Sequence, residues 1–280
     1  MDKINPLELT SKWLRTRYYI QDGYILPIPG AEWSEYDPWD YYNKENAGIP
    51  DDSLHIKFLN INLTDHREIE QFCSTYGLLG LRARDVATDE FIRKNQEEYR
   101  VPNYPRELIP DNVPPNLRGP LMTREPLEEF INEVNVFRWV TQINEGLRKF
   151  DIELLRDALG GNLDKSDEMV FDRATILYLQ TVNNRLRCIR PKIIRYTDET
   201  KSYNILRWEF TSLLDNIYMM HAQSTQENRY TRKCKNEKCN KWFSTDKEIK
   251  VYCSKKCGHD QSVRDLRNRR RRQKKGDDNK

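Results

Sequence analysis

The chain has no apolar run approaching the roughly 18 residues needed to cross a bilayer. Its first residues, Met1-Asp2-Lys3-Ile4-Asn5-Pro6, carry no apolar core of a signal peptide. Both absences set the expectation of a soluble protein that works in the cytoplasm and has no membrane partner. Histidine is scarce, with 4 in 280 residues, and His55, His66 and His221 each stand alone. No Gly-rich phosphate loop, His-Glu-x-x-His or Gly-x-Ser-x-Gly is present. Pro50-Asp51 is a candidate opening for a nuclease carboxylate set, but no Glu-x-Lys or Asp-x-Lys follows before Leu81. Without a catalytic constellation, the protein is not expected to be an enzyme.

Charge is plentiful at 32% of residues, mean hydropathy is −0.90 and aromatics reach 11%. The net charge of +3 hides an asymmetry. Residues 229–280 hold 19 Lys and Arg against 7 Asp and Glu, a surplus of 12. The preceding 228 residues hold 28 against 37, a deficit of 9. A cationic tail on an acidic body points to a polyanionic partner for the tail.

Four of the 6 cysteines fall in the same tail, as Cys234-x4-Cys239 and Cys253-x3-Cys257. Thiols stay reduced in the cytosol, so close pairs favour a metal over disulfides. A short loop lets two sulfurs face one ion, and zinc takes four such ligands in a tetrahedron. The expected cofactor is therefore Zn2+, held by Cys234, Cys239, Cys253 and Cys257. Trp242-Phe243 and Ile249-x-Val251-Tyr252 supply the few apolar residues of a hairpin that needs its metal to fold. His259 reads as a surface or supporting residue, since four cysteines already fill the shell. Cys73 and Cys188 read as buried structural thiols.

A helix is expected to run from the second cysteine pair into an Arg-rich stretch. Arg264, Arg267, Asn268, Arg271 and Lys275 fall along one stripe, widened by Arg269, Arg270, Arg272 and Lys274. Guanidinium forks bridge backbone phosphates well. With six to eight such contacts, log affinity for duplex DNA should fall with log salt at a slope of about −5 to −7. Arg264 and Asn268 are the first candidates for base contacts. The bland alternative is a solvated basic tail.

The body reads as mainly α with minor β. Residues 1–120 form an irregular region with short strands and one helix, 121–228 a helical bundle domain, and 229–280 the zinc module with its basic helix. Tyr18 to Leu26 suggests two β segments around the Asp22-Gly23 turn, and Leu54 to Leu63 suggests a strand. Thr64 or Asp65 caps a helix that reaches Tyr76 and stops at Gly77. Residues 102–120 hold six prolines and read as a linker or extended wrap. Helical periodicity then places one helix after a Thr123 cap, reaching Phe150, and a burst ending at Gly160-Gly161. Further helices are expected from about Asp167 to Arg190 and from about Tyr203 to Gln223. The aromatic and acidic patch from Trp33 to Tyr42 reads as packing between sheet and helix before it reads as a ligand site.

The strings Arg232-Lys233-Cys234-Lys235-Asn236-Glu237-Lys238-Cys239-Asn240-Lys241-Trp242-Phe243 and Tyr252-Cys253-Ser254-Lys255-Lys256-Cys257-Gly258 resemble the CGNR-type zinc finger. That finger ends bacterial proteins whose N-terminal region is the ABATE domain. The resemblance covers about residues 229–275. It implies a treble-clef-like zinc module with the four cysteines as ligands, in a DNA-binding transcription regulator. The family's Cys-Gly-Asn-Arg signature stands here as Cys257-Gly258-His259-Asp260, with an acid where the arginine falls. Nothing in the resemblance assigns a function to the body, which is expected to sense a small ligand or bind a protein partner. Two other readings stay open. In one the basic tail binds an acidic partner or its own body. In the other it binds RNA, for which only Trp242, Phe243 and Tyr252 offer stacking surfaces.

Overall fold

The computed structural model describes residues 11–41, 53–81, 124–161, 166–197, 202–227 and 229–277, the last eight of these as backbone alone. About half of the chain is helical, and the strands form small antiparallel sheets, so the fold is mainly α with minor β. The Pro-rich stretch and Thr123 lie outside the described residues.

Short strands open the fold. β1 (Trp13–Arg15) pairs with β4 (Ser34–Tyr36), while β2 (Tyr18–Gln21) and β3 (Tyr24–Pro27) form the expected hairpin. Asp22 and Gly23 both take positive φ, at 51° and 78°, as a tight two-residue turn requires. β3 also pairs with β5 (Glu125–Pro126). Beside that contact the buried Glu125 carboxylate accepts the backbone N–H groups of Leu79, Gly80 and Leu81 at 2.9, 2.5 and 2.9 Å. Burial nevertheless raises its pKa to about 7, against the pull of the three amides.

The segment expected as a strand is instead helix α1 (Leu54–Leu59). Five of its six residues are buried. A short helix packed on all sides loses its apolar stripe and reads like a buried strand. Helix α2 (His66–Tyr76) matches its sequence signals: the Asp65 carboxylate accepts the N–H of Arg67, and Gly77 ends it at φ 85°. At Gly77 a Cβ would lie 2.3 Å from the carbonyl oxygen of Leu14, so glycine is required there by space as well as by φ.

Helix α3 (Leu127–Lys149) is the spine, followed by α4 (Ile152–Ala158) and α5 (Asp167–Leu186). Helix α5 stops four residues short of the expected Arg190. Pro191 biases the residue before it toward extended backbone, and Arg190 there opens β6 (Arg190–Thr197). The helix expected from Tyr203 divides in two. β7 (Ser202–Glu209) pairs along its whole length with β6, and α6 (Leu213–Gln226) starts where the Ser212 hydroxyl accepts the N–H of Asp215. Leu206, Phe210 and Leu213 have helical spacing by coincidence, while strand pairing with the preceding segment decides the outcome.

The main core joins both halves of the chain. Trp13, Trp39, Phe58, Phe72, Phe130, Phe137, Tyr218 and Trp242 belong to one buried cluster. A smaller cluster of Ile143, Leu155, Val170 and Ala174 seals α3 to α4 and α5. Cys73 and Cys188 are buried, as expected. Within the aromatic patch, Trp39 is 1% exposed and donates its indole N–H to Asn216 at 2.8 Å, and Tyr36 donates its hydroxyl to the Tyr76 carbonyl. These are packing roles. Among the described residues, no helix is long and apolar enough to cross a membrane.

Candidate metal centre and its basic helix

Two strands frame the cysteine module: β8 (Tyr230–Lys233) and β9 (Trp242–Thr245), paired antiparallel. Cys234 follows β8 directly, and its N–H donates to the Lys241 carbonyl at 2.7 Å. The loop back to β9 turns where Cys239 donates to the Asn236 carbonyl at 2.9 Å, and Asn240 takes a left-handed φ of 51°. Asparagine tolerates that conformation better than most residues. Cys257 lies in the first turn of helix α7 (Lys255–Asp277) and Cys253 just before it. There the Ser254 hydroxyl accepts the Cys257 N–H at 3.1 Å.

The four sulfur atoms lie within 4.8 Å of one another and can hold a metal ion. Cys239 Sγ stands 3.5 Å from Cys253 Sγ, and Cys253 Sγ 3.4 Å from Cys257 Sγ. A disulfide would need about 2.05 Å. A tetrahedron with metal–sulfur bonds of about 2.3 Å has edges of about 3.8 Å. The observed spacings bracket that value, and the donor set fits a thiophilic ion. Burial pushes the Cys253 thiol well up, with the three neighbouring cysteines adding to it. Four thiolates this close repel one another, and a bound cation removes the repulsion.

Three side chains around the sulfurs carry no sequence signature as ligands. The Asn236 amide donates to the Cys257 carbonyl at 3.0 Å, tying the first knuckle to the helix entrance. Its oxygen accepts the Lys238 N–H at 3.0 Å. Gln261, one turn beyond Cys257, is 6% exposed and accepts from Arg264 at 2.8 Å. Arg264 also reaches the Asn236 oxygen at 3.3 Å and stands 3.7 Å from Glu237. Its placement corrects the expectation of a base-reading side chain: the guanidinium binds back onto the module. The spacing of Asn236 between the first two cysteines, and of Gln261 four residues past the last, is the signal that would have marked them.

Past this point the helix leaves the module. Arg267, Asn268 and Arg269 are exposed, and Leu266 is half exposed. Arg270, Arg271, Arg272, Lys274 and Lys275 continue the same helix. Its 23 residues span about 34 Å at about 1.5 Å per residue. His259 is exposed. Trp242 and Phe243, the two leading candidates for base stacking, are 8% and 1% exposed. They belong to the protein interior, which removes the platform a single-stranded partner would need.

The module is stitched to the body. Asn60, the residue that ends α1, donates to the Trp242 carbonyl at 2.9 Å and accepts the Trp242 N–H at 2.8 Å. Arg232, 1% exposed, donates to the Glu248 carbonyl at 2.6 Å and faces Glu145 of α3 at 3.5 Å. The Tyr230 ring sits between the guanidiniums of Arg148 and Arg232, 4.1 and 4.8 Å from its centroid. Two buried histidines, His55 of α1 and His221 of α6, lie in the same body. Burial drives their pKa values down to about 3 and about 4, with cationic neighbours assisting.

Compared with known protein families, with characterised proteins and with solved structures, the chain matches none. The functional reading therefore rests on the geometry and the residues themselves.

Proposed function

We propose that the chain is a zinc-dependent nucleic-acid-binding protein, with duplex DNA as its target and transcription regulation as its role. The metal would be Zn2+ on Cys234, Cys239, Cys253 and Cys257, in a treble-clef-like module of the kind the CGNR resemblance implies. One observation carries the reading. The helix that begins at the sulfur cluster continues outward as a rod whose described outer side chains are Arg267, Asn268 and Arg269. Anchoring at one end by metal and by the body gives such a rod a fixed direction, so its cations can follow one phosphate track. Duplex is favoured over single strands because Trp242 and Phe243 are buried. The larger N-terminal part would sense a ligand or contact a protein.

The test is fluorescence anisotropy on labelled duplex with the full chain and with Arg267→Glu, Arg269→Glu and Arg271→Glu combined. Charge reversal is cleaner than truncation, because removing the module would take Trp242 out of the main core. Loss of at least a hundredfold in affinity is expected. Unchanged binding would sink the reading.

The deficit of 9 charges in residues 1–228 supports a second reading, in which the tail binds an acidic partner or its own body. In that case the wild type binds no duplex at low salt, while charge reversal alters its hydrodynamic size or its retention of acidic protein.

A further inference from the structure

Helix α5 buries Val170, Ala174 and Val182 against the rest of the fold. Its opposite side is not the polar surface such a helix normally presents. Met169, Ile176 and Leu179 are 52%, 54% and 49% exposed there. With Asp172, Asn183 and the partly buried Leu186 they occupy positions 169, 172, 176, 179, 183 and 186. Those spacings alternate between three and four, the a/d seam of a helix pair. At about 100° per residue the six lie within about one third of the circumference, centred roughly opposite the buried stripe. Exposed leucine and isoleucine are common singly, whereas a seam of them is not.

The order of residues in the seam selects its partner. Reversed end to end, it matches itself. An antiparallel copy places Met169 opposite the partner's Leu186, Ile176 opposite the partner's Leu179, and Asp172 opposite the partner's Asn183. Apolar meets apolar at each such level, and the one carboxylate meets an amide able to donate to it. The parallel arrangement instead sets Asp172 against a second carboxylate at the same level, which is repulsive. We infer that the outer face of α5 is a homodimer interface, in which two copies of this chain pair antiparallel about a two-fold axis level with Leu177 and Tyr178. Such an interface is isologous, each copy offering the same patch, and it closes at two subunits.

Light scattering on the full chain at high micromolar concentration should give about twice the 33.6 kDa of one chain. Ile176→Glu combined with Leu179→Glu should give single-chain mass with an unchanged helical spectrum, since both sites are exposed. Direction is read with a short bismaleimide on added cysteines, linked peptides being identified by mass. In the antiparallel pair, position 179 and its copy differ by three residues in level, about 4–5 Å along the axis, whereas position 169 and its copy differ by 17, about 26 Å. Leu179→Cys should therefore crosslink to its copy and Met169→Cys should not. A single-chain mass for the wild type overturns the inference, and shows that residues 82–123 or solvent cover the seam. Equal crosslinking at both positions overturns the antiparallel assignment.

Discussion

Replacing Asn60 by alanine should loosen the metal module from the body although the two residues it joins are 182 positions apart in sequence. The side chain makes two bonds to the backbone of Trp242, donating at 2.9 Å and accepting at 2.8 Å, and a third to the Ile56 carbonyl at 2.9 Å. The Asn60→Ala change removes all three and leaves the Trp242 N–H and C=O unpaired beside the main core. Each hydrogen bond contributes about 1 kcal/mol, and a buried group left unpaired costs about 1–3 kcal/mol. The expected loss is about 2–4 kcal/mol. Asn60→Asp keeps the acceptor but turns a carboxylate oxygen toward the Trp242 carbonyl, so it should destabilise at least as much as alanine. Urea unfolding followed by tryptophan fluorescence, with zinc in excess, reads both. If either variant unfolds within about 0.5 kcal/mol of the wild type, Asn60 does not lock β9 to α1 and the docking argument is wrong.

Acid titrates three buried groups in opposing directions. His55 and His221, held near pKa 3 and 4, contribute stability that is present above about pH 6.5 and lost as pH falls, about 2 kcal/mol each by pH 5. Glu125, raised to about 7, contributes the other way, favouring the folded chain below pH 7 by about 2–3 kcal/mol at pH 5. Between pH 8 and pH 5 the wild type should lose about 1–2 kcal/mol and Glu125→Gln about 4 kcal/mol in urea titrations; a flat profile for the variant contradicts the burial of the histidines. Gly77→Ala should cost about 3 kcal/mol or more, because both φ and the Leu14 carbonyl oppose a Cβ, and a thermal midpoint unchanged by the substitution would contradict the α2 terminus described here. Duplex affinity should fall with salt at a log–log slope of about −5 to −7 for the wild type, and the three charge reversals should reduce it by about 3; a slope near zero would contradict phosphate contact.

The parts of the fold legible in the sequence are those fixed by local chemistry. Asp65 and Gly77 bound α2 because a carboxylate satisfies free amides at one end and a positive φ stops the other. Asp22-Gly23 makes its turn for the same kind of reason. The four cysteines converge because their spacing leaves them few other arrangements. Failures came where distant pairing decides. Leu54 to Leu59 is helical although buried on most sides, and Ser202 to Glu209 is a strand because Arg190 to Thr197 lies alongside it. Arg264 illustrates the limit at the site itself. Its position on a cationic helix suggested an outward contact, yet Asn236 and Gln261 offer oxygens within reach and draw it inward. No pattern in the chain announces that Asn60 meets Trp242.

The central claim is that a metal-clamped module holds a cationic helix in place for a polynucleotide. Elemental analysis and duplex binding, measured on one sample before chelation, after chelation and after zinc is restored, test it most directly. The account predicts one zinc per chain, loss of most binding affinity on stripping, and recovery on restoration. Full binding by metal-free protein, or a preparation that never holds zinc, would contradict it.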